Sequence, residues 1–144
     1  MKKQILTLAA ILLLGATAFA QGEMTKFDKL PVKAQEFIKT YFKDYKVSYI
    51  LTDKEFADVD YKVRFEDGTE IEFNAKGEWT DVSGKQNCIP TGFILTEVTD
   101  YVNTVHQDAC ITDVEKEYNR ITVELSNKLE LEFNSKGKLI SYDD

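Results

Sequence analysis

The 144-residue chain has one histidine, two cysteines, one tryptophan and two prolines, and 18 lysines and arginines against 25 aspartates and glutamates. Each shortage excludes something. His106 has no Cys or His at ligand spacing, so the sequence offers no zinc motif, and a helix-end side chain is its simplest reading. The scarcity of positive charge, with no Lys/Arg cluster, argues against nucleic acid or anionic lipid as a partner. After residue 15 no apolar run approaches the ~20 residues that span a bilayer. Asp58-Val59-Asp60 and Asp143-Asp144 lack the glycine-broken, oxygen-rich loop of a dedicated calcium site and read as solvated loop acids.

The one long apolar run, Ile5 to Gly15, follows Lys2 and Lys3 and precedes Ala18-Phe19-Ala20. That order predicts a secretory signal peptide over residues 1–20. Its removal would take away two cations, moving the net charge from −7 to −9. The expected destination is the periplasm or the exterior, with no lipid attachment because no Cys adjoins the cleavage site. In an oxidising compartment a bridge between Cys88 and Cys110 is the default reading. It requires a broken or folded-back segment between them, whereas one straight helix would hold two free thiols apart. A Cys110 nucleophile with His106 as its base is the rival reading.

What is abundant is self-similarity. Residues 61–80 and 121–140 align without a gap at an offset of sixty, with Val63/Val123, Glu70/Glu130, Glu72/Glu132, Phe73/Phe133, Asn74/Asn134, Lys76/Lys136 and Gly77/Gly137 identical. Helices are expected from Pro31, with the stripe Ala34, Phe37, Ile38, Tyr41, Phe42, and from Pro90, with Ile94, Val98, Tyr101, Val102, Val105. The helices are expected to keep the sixty-residue offset. The period then falls to two. Val47, Tyr49 and Leu51 are expected to share one face of a first strand; Tyr61, Val63, Phe65 and then Ile71, Phe73 follow, with turns at Asp67-Gly68 and Asn74 to Gly77. The second half repeats this through Ile121, Val123, Leu125, Leu129, Leu131, Phe133 and Leu139. The expected fold is α+β: tandem α-β-β-β-β repeats at 21–86 and 87–144 in one compact unit. Two helices would cover one face of an antiparallel sheet of about eight strands.

The helix openings Leu30-Pro31 and Ile89-Pro90, the Glu-Phe-Asn-x-Lys-Gly hairpin in each half and the signal peptide together resemble the PepSY-like, β-lactamase-inhibitor-like family of small secreted envelope proteins. The resemblance implies a tandem-repeat sheet whose open face grips a protein. It does not imply a β-lactamase as target, because a shared fold does not transmit function. No catalytic constellation and no cofactor motif stands out, so a non-enzymatic role is expected. The wet face is the candidate site: Lys62, Arg64, Glu70, Glu72, Glu78, Thr80, Thr122, Glu124, Glu130 and Glu132, with Trp79 and Tyr118 as possible anchors and Trp79 equally a core residue. A protein partner that this chain inhibits or regulates is the first expectation. A periplasmic small-ligand or cation-binding protein is the alternative.

Overall fold

The computed structural model describes residues 22–55 and 58–143, so the expected signal peptide lies outside the described residues, as does Asp144. Among the described residues nine strands and two α-helices follow one another: β1 (Glu23–Thr25), α1 (Val32–Tyr41), β2 (Val47–Glu55), β3 (Asp58–Phe65), β4 (Glu70–Phe73), β5 (Trp79–Ser83), α2 (Thr96–Val105), β6 (Ile111–Glu117), β7 (Arg120–Leu125), β8 (Glu130–Asn134) and β9 (Leu139–Asp143). The strands form one open antiparallel sheet in sequence order, β1 to β9. The α+β expectation therefore holds, with β1 added at the edge of β2.

The alternation of each strand decides which face is dry. Val63, Phe65, Ile71, Phe73, Val82, Val114, Val123, Leu125, Leu131 and Phe133 are buried on the helix side. Ala34, Ile38 and Phe42 from the first helical segment and Val98 and Val102 from α2 join them in one core. Rings cross between the layers at Phe37 and Phe73, 5.5 Å apart, and at Tyr101 and Phe133, 5.6 Å apart. Phe93, from the loop before α2, lies 4.9 Å from Phe37 and 5.1 Å from Trp79, so a side chain of the second half closes the core of the first.

The repeated Asn-x-Lys-Gly now has a cause. The Asn74 side-chain oxygen accepts from the N–H groups of Lys76 and Glu78, and Asn134 does the same for Lys136 and Lys138. Gly77 and Gly137 sit at φ +82° and +83°, which a side chain rarely adopts. A Cβ at Gly77 would come 2.8 Å from Pro31 Cβ, and one at Gly137 2.5 Å from Glu97 Cβ. Each turn thus passes against the start of its own helix.

Three expectations need correction. Pro31 does open α1, but α2 begins at Thr96, because residues after Pro90 turn first, with Ile94 N–H bonded to Thr91 O. Ala34 and Ile38 correspond to Val98 and Val102, so the helices are offset by sixty-four residues, and the β2–β3 hairpin is four residues longer than its counterpart. In β2 the buried residue is Ile50, opposite Val63, while Val47 is exposed and Tyr49 half-buried; a bulge between Val47 and Tyr49 resets the phase.

Cys88 and Cys110 are bridged, with Cα atoms 5.7 Å apart. Only ten of the residues between them are α-helical, and the flanking turns bring the two ends back together.

Candidate functional site

Antiparallel register lines up the open-face side chains in rows across the sheet. One row runs Leu51, Lys62, Glu72, Asp81, Glu115, Thr122, Glu132, Ser141 from β2 to β9. The next runs Tyr49, Arg64, Glu70, Ser83, Asp113, Glu124, Glu130, Asp143. Directly opposed like charges destabilise a sheet. Here Glu72, Asp81 and Glu115 are consecutive in one row, and Asp113, Glu124, Glu130 and Asp143 in the other.

Charge is divided along the rows. Glu70, with its side chain only 12% exposed, is gripped by Lys62, Arg64 and Lys85 at 3.2, 2.8 and 3.4 Å. Burial pushes its pKa up, but Lys62 and Lys85 outweigh that and hold the carboxyl below its ordinary value. On the other side, Asp81, Asp113 and Glu115 make no ion pair among the described residues. Desolvation, then the charges of Glu72, Glu115 and Asp113, push Asp81 from 3.8 up to about 7. A groove of about 350 Å³ lies over this region, lined by Asp81, Asp113, Glu115, Glu124 and Glu130 together with Lys62 and Lys85. Glu124 is tied to Lys128 at 3.6 Å and Glu132 to Arg120 at 2.9 Å.

Of the expected face residues, Lys62, Arg64, Glu70, Glu72, Thr122, Glu124, Glu130 and Glu132 share this surface. Glu78 does not. It lies in the β4–β5 turn, ahead of the strand, where it accepts from the Asn74 amide and pairs with Lys33 of α1 at 3.5 Å. Thr80 is the extra residue of that bulge and donates to Glu72 O. Trp79 faces the helix layer, packed on Phe93 with the Lys116 ammonium 4.7 Å from its ring centre, so it is no open-face anchor. Tyr118 is wholly exposed between β6 and β7. His106 follows α2 beside Tyr101, and Cys110 is held in the bridge, so the pair forms no nucleophile and base. Asp60 and Asp53 face each other on β3 and β2; burial, then Asp58 and Asp53, raises the Asp60 pKa. Among the described residues no three His, Cys, Asp or Glu side chains are gathered as a metal shell.

Sequence reading missed Asp81, Ser83, Lys85, Asp113 and Glu115. Alternation around Val82 and Val114 marked Asp81, Asp113 and Glu115 as outward. Their adjacency comes from the β5–β6 seam, which joins the two halves.

Residues 59–141 match the family described as "putative beta-lactamase-inhibitor-like, PepSY-like". The chain belongs to this PepSY-like family. A Bacteroides thetaiotaomicron structure described as a "putative calcium-regulated periplasmic protein" is 33% identical, covering 87% of this chain and 98% of its own, with a TM-score of 0.83. A Bacteroides vulgatus structure described as a "putative periplasmic protein from DUF2874 family" is 32% identical, with coverages of 86% and 98% and a TM-score of 0.81. Another from the same species, of unknown function, is 32% identical, with coverages of 85% and 99% and a TM-score of 0.78. A search of curated proteins found no match. This PepSY-like protein is periplasmic, as its structural neighbours are described to be. No helix among the described residues is long and apolar enough to cross a membrane. Nothing in the family description or the site geometry points to catalysis.

Proposed function

We propose that this PepSY-like protein is a non-enzymatic periplasmic binding module that takes a protein partner on the open face of its sheet, and restrains or regulates that partner by occupying its surface. One observation carries the reading: the rows Glu72–Asp81–Glu115 and Asp113–Glu124–Glu130 set like charges against each other across the middle of the sheet. Rows of carboxylates set against one another in the middle of a sheet cost stability, and a departure from pairing rules of that extent marks a place of use. Cationic side chains of a partner would relieve the repulsion, and the rigid sheet presents the carboxylates without reordering them.

The test compares affinity capture from an envelope extract by the native chain and by an Asp113→Lys/Glu115→Lys variant of matched thermal stability. A protein retained by the first and lost from the second, and released by high salt, supports the reading. A partner held equally by both refutes the face assignment.

Calcium binding is the second reading, favoured by the neighbour described as calcium-regulated. The carboxylates of this chain do not form a ready-made calcium shell among the described residues, which puts the reading second. A calcium-dependent rise in melting temperature, abolished by Asp81→Asn, would reverse that order.

A further inference from the structure

Strand β9 is the internal repeat of β5: Trp79 to Ser83 correspond to Leu139 to Asp143, sixty residues on. The two occupy equivalent places in their halves, each hydrogen-bonded on one side to the preceding strand, through the same bulge opposite Phe73 or Phe133. On its other side β5 is paired, Asp81 with Glu115, Val82 with Val114 and Ser83 with Asp113. The corresponding side of β9 has no strand on it among the described residues. Burial reports the difference directly. Val82 is fully buried, whereas its counterpart Tyr142 is 71% exposed, and Ile140 beside it is 51% exposed.

Exposed edges are normally blunted by charged side chains, especially Lys, by Pro, by bulges or by extreme shortness. The opposite edge, β1, has three residues, opens on Glu23 and is followed by Lys26. β9 has five residues with no Lys, Arg or Pro; its one charge, Asp143, is at its end, and the bulge it carries does not prevent pairing, since β5 carries the same one.

We propose that the free edge of β9 is a docking edge for a second copy of this chain, β9 against β9, antiparallel about a two-fold axis through Tyr142. An isologous interface must be self-complementary, each residue meeting the partner's equivalent of its own contact. This segment satisfies that condition. With Tyr142 on the axis the two tyrosines oppose each other as Val82 opposes Val114, and Ser141 of each copy meets Asp143 of the other, a hydroxyl against a carboxylate. No like charges are directly opposed, unlike Asp81 and Glu115 in the intramolecular seam. The contact extends the sheet sideways and leaves the acidic open face uncovered. Because both chains carry net negative charge, the dimer strengthens as salt screens their repulsion.

Sedimentation equilibrium on the chain recovered from the periplasm, over a concentration series reaching the millimolar range and at low and high salt, tests this. The expected result is a reversible dimer favoured by salt, weakened at least tenfold by Tyr142→Lys. That variant should melt as the native chain does, since it alters an exposed side chain. Tyr142→Cys is expected to form a covalent dimer on mild oxidation, and Met24→Cys, at the opposite edge, is not. A native chain that stays monomeric throughout overturns the proposal, leaving the edge to a foreign strand. So does a dimer that persists unchanged in Tyr142→Lys, or one trapped as readily through Met24→Cys.

Discussion

The Asp81→Asn substitution should stabilise the protein at neutral and alkaline pH and do nothing in acid. Asp81 has a folded-state pKa of about 7 against an ordinary value of 3.8, because its carboxylate is desolvated and crowded by Glu72, Glu115 and Asp113. A raised folded pKa means the native state holds a proton that the unfolded chain has released. The group's contribution to stability is therefore fully present below about pH 4 and is lost as the pH rises through about 7. A shift of this size corresponds to a ceiling of about 4 kcal/mol. The side chain keeps part of its solvent contact, and screening cuts this to roughly 2 kcal/mol. With an unfolding entropy of about 2 cal/mol/K per residue, that is a shift of about 8 °C in melting temperature. Asparagine is nearly isosteric and cannot ionise, so the comparison isolates the charge from the packing. Thermal melts of both proteins from pH 4 to pH 8 should coincide in acid and separate progressively, with the variant higher by about 8 °C at the alkaline end. Parallel profiles, or a variant that melts lower at pH 8, would refute the argument that the acid row is electrostatically strained.

Glu70 should behave in the opposite sense. Its pKa is held down by Lys62 and Lys85, so its contribution is present above the ordinary carboxylate range and lost as the pH falls through its lowered folded value; Glu70→Gln should cost stability at pH 7 and little at pH 3, read by urea titration. Opening the Cys88–Cys110 bridge by a double Ser substitution should cost about 3 kcal/mol on the loop-entropy model, seen as a lower urea midpoint. Gly77→Ala should lose more than the roughly 1 kcal/mol of left-handed strain alone, because its Cβ meets Pro31. Gly68→Ala, at φ +94° with nothing within 4 Å, should lose only that strain, and melts of the two variants compare them. Lys128 takes φ +73° at the position where the first repeat has Gly68, so Lys128→Gly should gain up to about 1 kcal/mol by the same assay.

How much of this was legible in advance follows the range of the interactions involved. Features set by neighbours in sequence could be read directly: the duplication itself, the Asn-x-Lys-Gly turns, the opening of α1 at Pro31, and the alternation that puts Val63 and Phe73 on one face and Lys62 and Glu72 on the other. Where local signals competed, reading failed. Pro90 and Ile94 continue an apolar helical spacing, yet residues 91–94 form a turn, and one bulge in β2 moved Ile50 into the core in place of Tyr49. The second strand phase could not be deduced, because both alternating sets in that stretch contain apolar residues.

The sequence alone therefore determined a two-fold repeated α+β unit with one dry face and one acidic wet face, since period, turn chemistry and charge are properties of short segments. Tertiary structure decided the rest. Asp81 and Glu115 are thirty-four positions apart and meet only because β5 pairs with β6; Phe93 fills the first half's core only because the preceding loop turns back over α1; Glu78 leaves the face because its turn packs against the start of α1. Each depends on strand register and layer packing, where long-range contacts choose among local conformations that the residues by themselves leave nearly equal in free energy.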